Sequence, residues 1–231
     1  AALLLWGGRL YAETLGRDDD AINAYNGVLE VDFQNMEAIV SLERLYEKVE
    51  KWEELVDVLG RKADYSDGDV RVNALKKKGL VQHERMENTA DAIETFLQVM
   101  AINPGDVDGL RTLDRLYGAA EDWWNLYSTL ETLHNLVSGE ERLTIHLRMG
   151  KLLEREIGDA TRAVDIFRDL LGEFPNNNEA VEALESMVRA DLAADSAFAI
   201  LAPVLADRGE WSRLYVVYEV ITDREEDVVR K

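Results

Sequence analysis

Three histidines, His83, His134 and His146, are the side chains here best suited to acid–base work or to holding a transition metal near neutral pH. None stands with a second histidine or a carboxylate in a recognised ligand pattern at i+3 or i+4, so a metal site would have to be assembled between separate elements. DYSDGD at 64–69 has the look of a calcium loop, but its acids fall at 64, 67 and 69, and Leu75 stands where the twelfth-position glutamate belongs. It reads as a turn. The run Asp18-Asp19-Asp20 suits a helix N-terminus, where the helix dipole favours negative charge. There is no glycine-rich phosphate loop, no nucleophile elbow and no cysteine, which removes disulfides, thiolate zinc sites and thiol catalysis. No cofactor, metal or catalytic set is expected. LKKKG at 75–79 is the one basic cluster; Lys76 to Lys78 either grip a partner's acids or form a solvated helix face.

The elements that must position any such residues are helices. Ala, Leu, Glu, Asp and Arg dominate, prolines number 3, and no alternating Val/Ile/Thr stretch suggests a sheet. Of 231 residues 47% are hydrophobic, ample for a core. The 46 acidic and 26 basic residues leave a formal net charge of −20. That field repels phosphate backbones and suits a cationic protein partner, so nucleic acid is not expected. No apolar run approaches the roughly 20 residues that cross a bilayer, and AALLLW is short and without a basic leader, so neither membrane insertion nor a signal peptide is expected. The compartment stays open, leaning to the cytoplasm.

The chain repeats itself. DDDAINAYNGVLEVD from 18, TADAIETFLQVMAIN from 89 and GDATRAVDIFRDLLGEFP from 158 align, with alanines at Ala21, Ala92 and Ala163. The same 71-residue shift relates Gly8, Gly79 and Gly150, then Leu42, Leu113 and Leu184, then Leu59, Leu130 and Leu201. Residues 1–71 and 72–142 agree without a gap at 17 of 71 positions. Turn signals divide each unit into two helical hairpins. Predicted helices run over about 2–16, 19–31, 35–49, 52–64, 69–86, 89–102 and 106–119, then about 122–137, 140–157, 160–173, 177–192, 195–206 and 210–222. Hairpins are expected at about 1–34, 35–68, 69–105, 106–139, 140–176 and 177–208, with a partial one at 209–231, in a single domain.

This pattern resembles the tetratricopeptide repeat family. Gly8, Gly79 and Gly150 match its small residue midway along the first helix. Ala21 with Tyr25, Ala92 with Phe96 and Ala163 with Phe167 match the alanine and the aromatic four residues later in the second helix, and Pro104 and Pro175 match its closing proline. The odd hairpins hold one extra residue between glycine and alanine. The alternate hairpins are degenerate, with leucine at 42, 113 and 184 in place of the glycine. The resemblance implies an all-α solenoid, a right-handed superhelix of antiparallel hairpins, used as a non-enzymatic scaffold for other proteins. The alternative is an architectural helical-repeat segment of a larger machine or multidomain protein.

In that family the first helix of each hairpin lines a concave face where peptides or helices lie. Register then selects Arg9 and Glu13, Asn73, Lys76, His83 and Glu84, and Lys151, Glu154 and Arg155 as partner-binding candidates. In the degenerate hairpins it selects Tyr46, Tyr117 and Arg189, the tyrosines having core packing as the alternative. Some members hold a peptide's terminal carboxylate with Lys, Asn and Arg; Asn73 and Lys76 are similar to part of that set, and the rest is not evident. Trp123 aligns with Trp52 and reads as a packing residue. Trp124 aligns with Glu53 and Asp195, both acidic, and reads either as part of a contact surface or as a partly buried edge residue. The uncapped apolar start and the unpaired last helix suggest a segment of a longer array, open to end-to-end self-association.

Overall fold

The structure is a computed structural model; it describes residues 1–229, with side chains described to Arg224. The end of the partial hairpin expected over 209–231 lies outside the described residues. The chain forms two compact units, residues 1–120 and 121–231.

The first unit contains α1 (Ala2–Arg9), α2 (Asp18–Val31), α3 (Met36–Lys48), α4 (Trp52–Asp64), α5 (Gly68–Glu84), α6 (Thr89–Ile102) and α7 (Val107–Ala119). The second contains α8 (Trp123–Leu136), α9 (Gly139–Leu152), α10 (Ala160–Glu173), α11 (Asn178–Arg189), α12 (Ala194–Asp207) and α13 (Trp211–Val229). Within each unit every helix packs on the next, giving stacked helical hairpins. α13 continues well beyond the predicted end at 222.

Glycine explains the close approach inside the odd hairpins. A Cβ added at Gly8 would lie 2.8 Å from the Tyr25 ring, one at Gly79 2.7 Å from Phe96, and one at Gly150 2.5 Å from Phe167. Each aromatic fills the space that its glycine leaves open, and all three are buried. Phe96, Phe167, Leu42, Leu59, Leu113 and Leu130 are among the largest fully buried side chains, each worth about 1.5–3 kcal/mol relative to exposure.

The extra residue of the odd hairpins has a definite place. The sequence predicts that α1 and α9 run on as α-helices to about 16 and 157; instead each passes into a π-helical turn, Leu10–Leu15 and Leu153–Ile157. One inserted residue widens the helix locally and leaves the packing register on either side intact. In the middle copy α5 ends at Glu84, and a wide turn follows in which the Met86 amide donates to the Val81 carbonyl at 3.2 Å. All three copies close alike: the amides of Arg17, Asn88 and Asp159 donate to the carbonyls of Tyr11, Gln82 and Leu153 at 2.9, 2.8 and 2.9 Å. The residue before each of these amides is left-handed, Gly16 and Gly158 in two copies and Glu87, at φ 53°, in the third.

The breaks cap the helices that follow. Asn35, Asp106 and Asn177, again 71 residues apart, accept from the amides of Ala38, Gly109 and Ala180. α2 begins on Asp18, so the three aspartates occupy its first turn. DYSDGD is the turn between α4 and α5, with Gly68 at φ 55°.

Candidate functional site

The first helices of the hairpins are α1, α3, α5 and α7 in one unit and α9, α11 and α13 in the other. Ion pairs lace neighbouring first helices together. In the first unit Arg9 on α1 meets Glu37 on α3 at 2.6 Å, Lys77 on α5 meets Glu43 and Glu47 on α3 at 2.9 and 2.8 Å, and Lys76 meets Asp106 at the start of α7 at 2.7 Å. In the second Lys151 on α9 meets Glu179 on α11 at 2.6 Å, and Arg213 on α13 meets Glu185 on α11 at 2.8 Å. Arg189 also reaches Glu185, at 3.5 Å.

Position decides how much each pair matters. Arg9–Glu37 and Lys151–Glu179 are exposed, and solvent screens such pairs so that they add little to stability. Glu43 is largely buried between two lysines. Burial pushes its carboxyl up, but Lys62 and Lys77 outweigh that and hold it below the usual carboxylate range. Burial likewise opposes Asp106, and the bonds from Lys76 and the Gly109 amide prevail. The candidates Arg9, Lys76, Lys151 and Arg189 are thus engaged inside the chain, stapling the face that register selects. Asn73 and Arg155 are exposed and form no such pair among the described residues.

Two clefts open beside these helices. One, about 110 Å³, lies between α5 and α7 and is lined by Leu80, His83, Glu84, Thr112, Arg115 and Leu116. It brings the predicted His83 and Glu84 together with Thr112 and Arg115, which sequence reasoning missed. The signal was present: Thr112 and Arg115 flank Leu113, the residue that replaces the glycine in a degenerate hairpin. The other cleft, about 230 Å³, lies between α8 and the α9 segment with its π turn, and gathers Arg148, Lys151 and Arg155 with one acid, Glu156. That is a basic lining on a strongly acidic protein. Glu13 and Glu154 are not among the residues lining either cleft.

Register places Tyr46 and Tyr117 on the partner face, but they are 7% and 6% exposed and pack in the core of their unit. Their recurrence at 71 residues reflects that packing. Trp123 is half-buried, while Trp124 is 54% exposed and lies beneath the Arg162 guanidinium, which also covers Tyr127. The indole is therefore open on one side and held on the other.

Two histidines far apart in the sequence meet in the second unit. The rings of His134 on α8 and His146 on α9 are 4.6 Å apart, and Arg142 donates to His134 at 3.2 Å. Nδ1 of the buried His146 has no partner among the described residues. Burial, then the neighbouring cations, hold both imidazoles below the usual histidine range, against the opposing pull of Glu173. Among the described residues, no group of three or more His, Cys, Asp or Glu side chains is arranged to hold a metal ion.

Stacked helical hairpins, the odd ones closed by an internal glycine–aromatic contact, with no strand among the described residues, define an all-α solenoid of helical repeats. Two family models described as tetratricopeptide repeat match the chain, at residues 38–71 and 146–177, so the chain carries tetratricopeptide repeats over those residues. The first match covers one of the degenerate hairpins, so leucine in place of glycine does not remove a hairpin from the pattern. No curated protein sequence matches the chain. Among solved structures, one of Naa15/Naa10 bound to HypK-THB is 12% identical with a TM-score of 0.50, covering 96% of this chain and 37% of that one. A crystal structure of MamA protein is 19% identical, with a TM-score of 0.46 and coverage of 80% and 92%. YrrB, described as a TPR protein with an unusual peptide-binding site, is 13% identical, with a TM-score of 0.45 and coverage of 78% and 89%. No helix among the described residues is long and apolar enough to cross a membrane.

Proposed function

We propose that this protein is a non-enzymatic scaffold whose hairpins form one array and bind a segment of a partner protein, a peptide or a helix, on the first-helix face of each unit. The observation that carries this reading is the pair of clefts beside α5 and α9, where His83, Glu84 and Arg115, and separately Lys151 and Arg155, converge on apolar floors. A partner side chain entering either cleft buries apolar surface against Leu80 and Leu116, or against Leu126 and Leu130, while the rim charges set its register. The ion-paired staples keep neighbouring first helices in place, so the face is ordered before a partner arrives. The net charge of −20 favours partners with an overall positive charge.

The test is a peptide library selected on the whole chain, with the best binder re-measured by calorimetry. His83→Ala/Arg115→Ala or Lys151→Glu/Arg155→Glu should weaken it about tenfold while circular dichroism stays unchanged. Affinity unmoved by both double variants overturns the assignment of the face.

A second reading, an architectural segment of a larger assembly, is favoured by one observation. Leu3 and Trp6 on α1, and Trp211 and Tyr215 on α13, are between 63% and 80% exposed. Sedimentation across a hundredfold range of concentration decides here. Self-association supports it, and a concentration-independent monomer removes it.

A further inference from the structure

Beyond the first-helix face, a larger cleft belongs to the first unit and lies between α2, α3 and α4, with a volume of about 410 Å³. Its floor is apolar, formed by Leu29, Leu42 and Val58. One wall presents a fixed polar pair: the Asn26 amide donates to the Tyr46 hydroxyl at 3.0 Å, and that hydroxyl lies 3.2 Å from the Asn26 carbonyl oxygen. The rim carries Glu30, Glu54 and Asp57 on α2 and α4, with Arg61 as the single cation. These four rim groups are exposed and form no ion pair among the described residues. That contrasts with Glu37, Glu43, Asp106, Glu179 and Glu185 on the first-helix face, which lysines and arginines match.

The internal repeat separates what the fold needs from what it does not. Shifted by 71 and 142 residues, Leu29 becomes Met100 and Leu171, Leu42 becomes Leu113 and Leu184, and Val58 becomes Thr129 and Ile200, so the floor stays largely apolar. The rim does not persist. Glu30 becomes Ala101 and Gly172, Glu54 becomes Asn125 and Ser196, Asp57 becomes Ser128 and Ala199, and Arg61 becomes Thr132 and Pro203. Of the three copies, only the first has carboxylates at these rim positions. The acids are therefore not a requirement of the helices that carry them. Their shared aim at one concavity with an apolar floor fits a ligand with an aliphatic stem and a cationic head.

We propose that this cleft is a docking site for an arginine or lysine side chain carried on a segment of a partner protein. The stem lies on Leu29, Leu42 and Val58, the head meets Glu30, Glu54 and Asp57, and the Asn26–Tyr46 pair supplies hydrogen-bonding groups at the wall. A protein segment is the occupant that charge complementarity favours, because a side chain brings an apolar stem together with one positive charge. The site adds a second contact surface to the proposed scaffold and does not depend on the first-helix face.

The probe is a nine-residue peptide with one arginine in a Gly/Ser/Ala background, titrated into the isotopically labelled whole chain at 0.15 M salt and followed by NMR. Saturable shifts are expected at the Asn26 side-chain amide and along α4, and the version with glutamine for arginine should give none. Glu54→Asn/Asp57→Ser, which installs the residues of the second copy, should weaken binding about tenfold. Glu94→Gln/Glu182→Gln removes the same charge elsewhere on the surface and should change binding less than twofold. Equal weakening by both double variants overturns the proposal in favour of a diffuse field. Shifts confined to Asn73 and His83 overturn it while leaving the first-helix face standing. Spermidine giving the same saturable shifts with the same dependence on Glu54 and Asp57 overturns the assignment to a protein side chain.

Discussion

Replacing Gly150 with alanine tests the contact on which each odd hairpin is built. The added Cβ would lie 2.5 and 2.7 Å from Cε1 and Cζ of Phe167, where carbon atoms need about 3.5–4.0 Å. Relief requires a shift of about 1 Å, and Phe167 is 0% exposed with no free space to move into. Overpacking of this kind costs about 1–3 kcal/mol, against roughly 1 kcal/mol gained by exchanging glycine for alanine inside a helix. Gly7 supplies the comparison, because a Cβ there meets nothing within 4 Å. Gly7→Ala should stabilise by up to about 1 kcal/mol, and Gly150→Ala should fall below it by about 1–3 kcal/mol, or about 2–12 °C in melting temperature for a chain of this size. Urea and thermal unfolding followed by circular dichroism measure both. In a Phe167→Leu background the penalty should vanish and Gly150→Ala should behave as Gly7→Ala does, a coupling of about 1–3 kcal/mol in a double-mutant cycle. Two alanine variants of equal stability, or a cycle with no coupling, would refute the glycine–aromatic account of the repeat.

Acid should loosen the second unit first. His134 and His146 hold fewer protons folded than unfolded, so their contribution is complete above the ordinary histidine value of 6.5 and is lost as pH falls below it. Thermal melts between pH 7 and pH 5 should show falling stability whose slope flattens in His134→Gln/His146→Gln; an unchanged slope contradicts this. Asp106 combines a helix cap with the Lys76 ion pair. Asp106→Ala should cost about 1–2 kcal/mol in urea unfolding, whereas Asp106→Asn keeps the cap and should recover most of it; equal losses would mean that the ion pair stabilises this helix start more than the cap does.

The repeat was legible because packing of the two helices within each odd hairpin imposes a fixed spacing on small and aromatic side chains. Gly8, Gly79 and Gly150 with Tyr25, Phe96 and Phe167 carry that spacing, and most helix limits follow from the Asn and Asp caps between them. The extra residue in the odd hairpins could be counted in the sequence. Its shape could not: two copies absorb it as a π-helical turn before a left-handed glycine and the third as a wide turn before Glu87. Register alone could not tell that Tyr46 faces Asn26, because each helix side is shared by two neighbours.

Charge was visible as a total and invisible as an arrangement. Lys76, Lys77 and Lys78 are one basic run in the sequence; in the fold Lys76 turns to Asp106 and Lys77 to Glu43 and Glu47, on opposite neighbouring helices. His134 and His146 carry no ligand spacing and meet because α8 and α9 form adjoining arms of a hairpin stack. Local periodicity is written in the chain because each helical turn repeats it every few residues. Which long polar side chains meet depends on contacts 28 residues apart, as for Arg9 with Glu37 and Lys151 with Glu179, and those distances are set only when the hairpins stack.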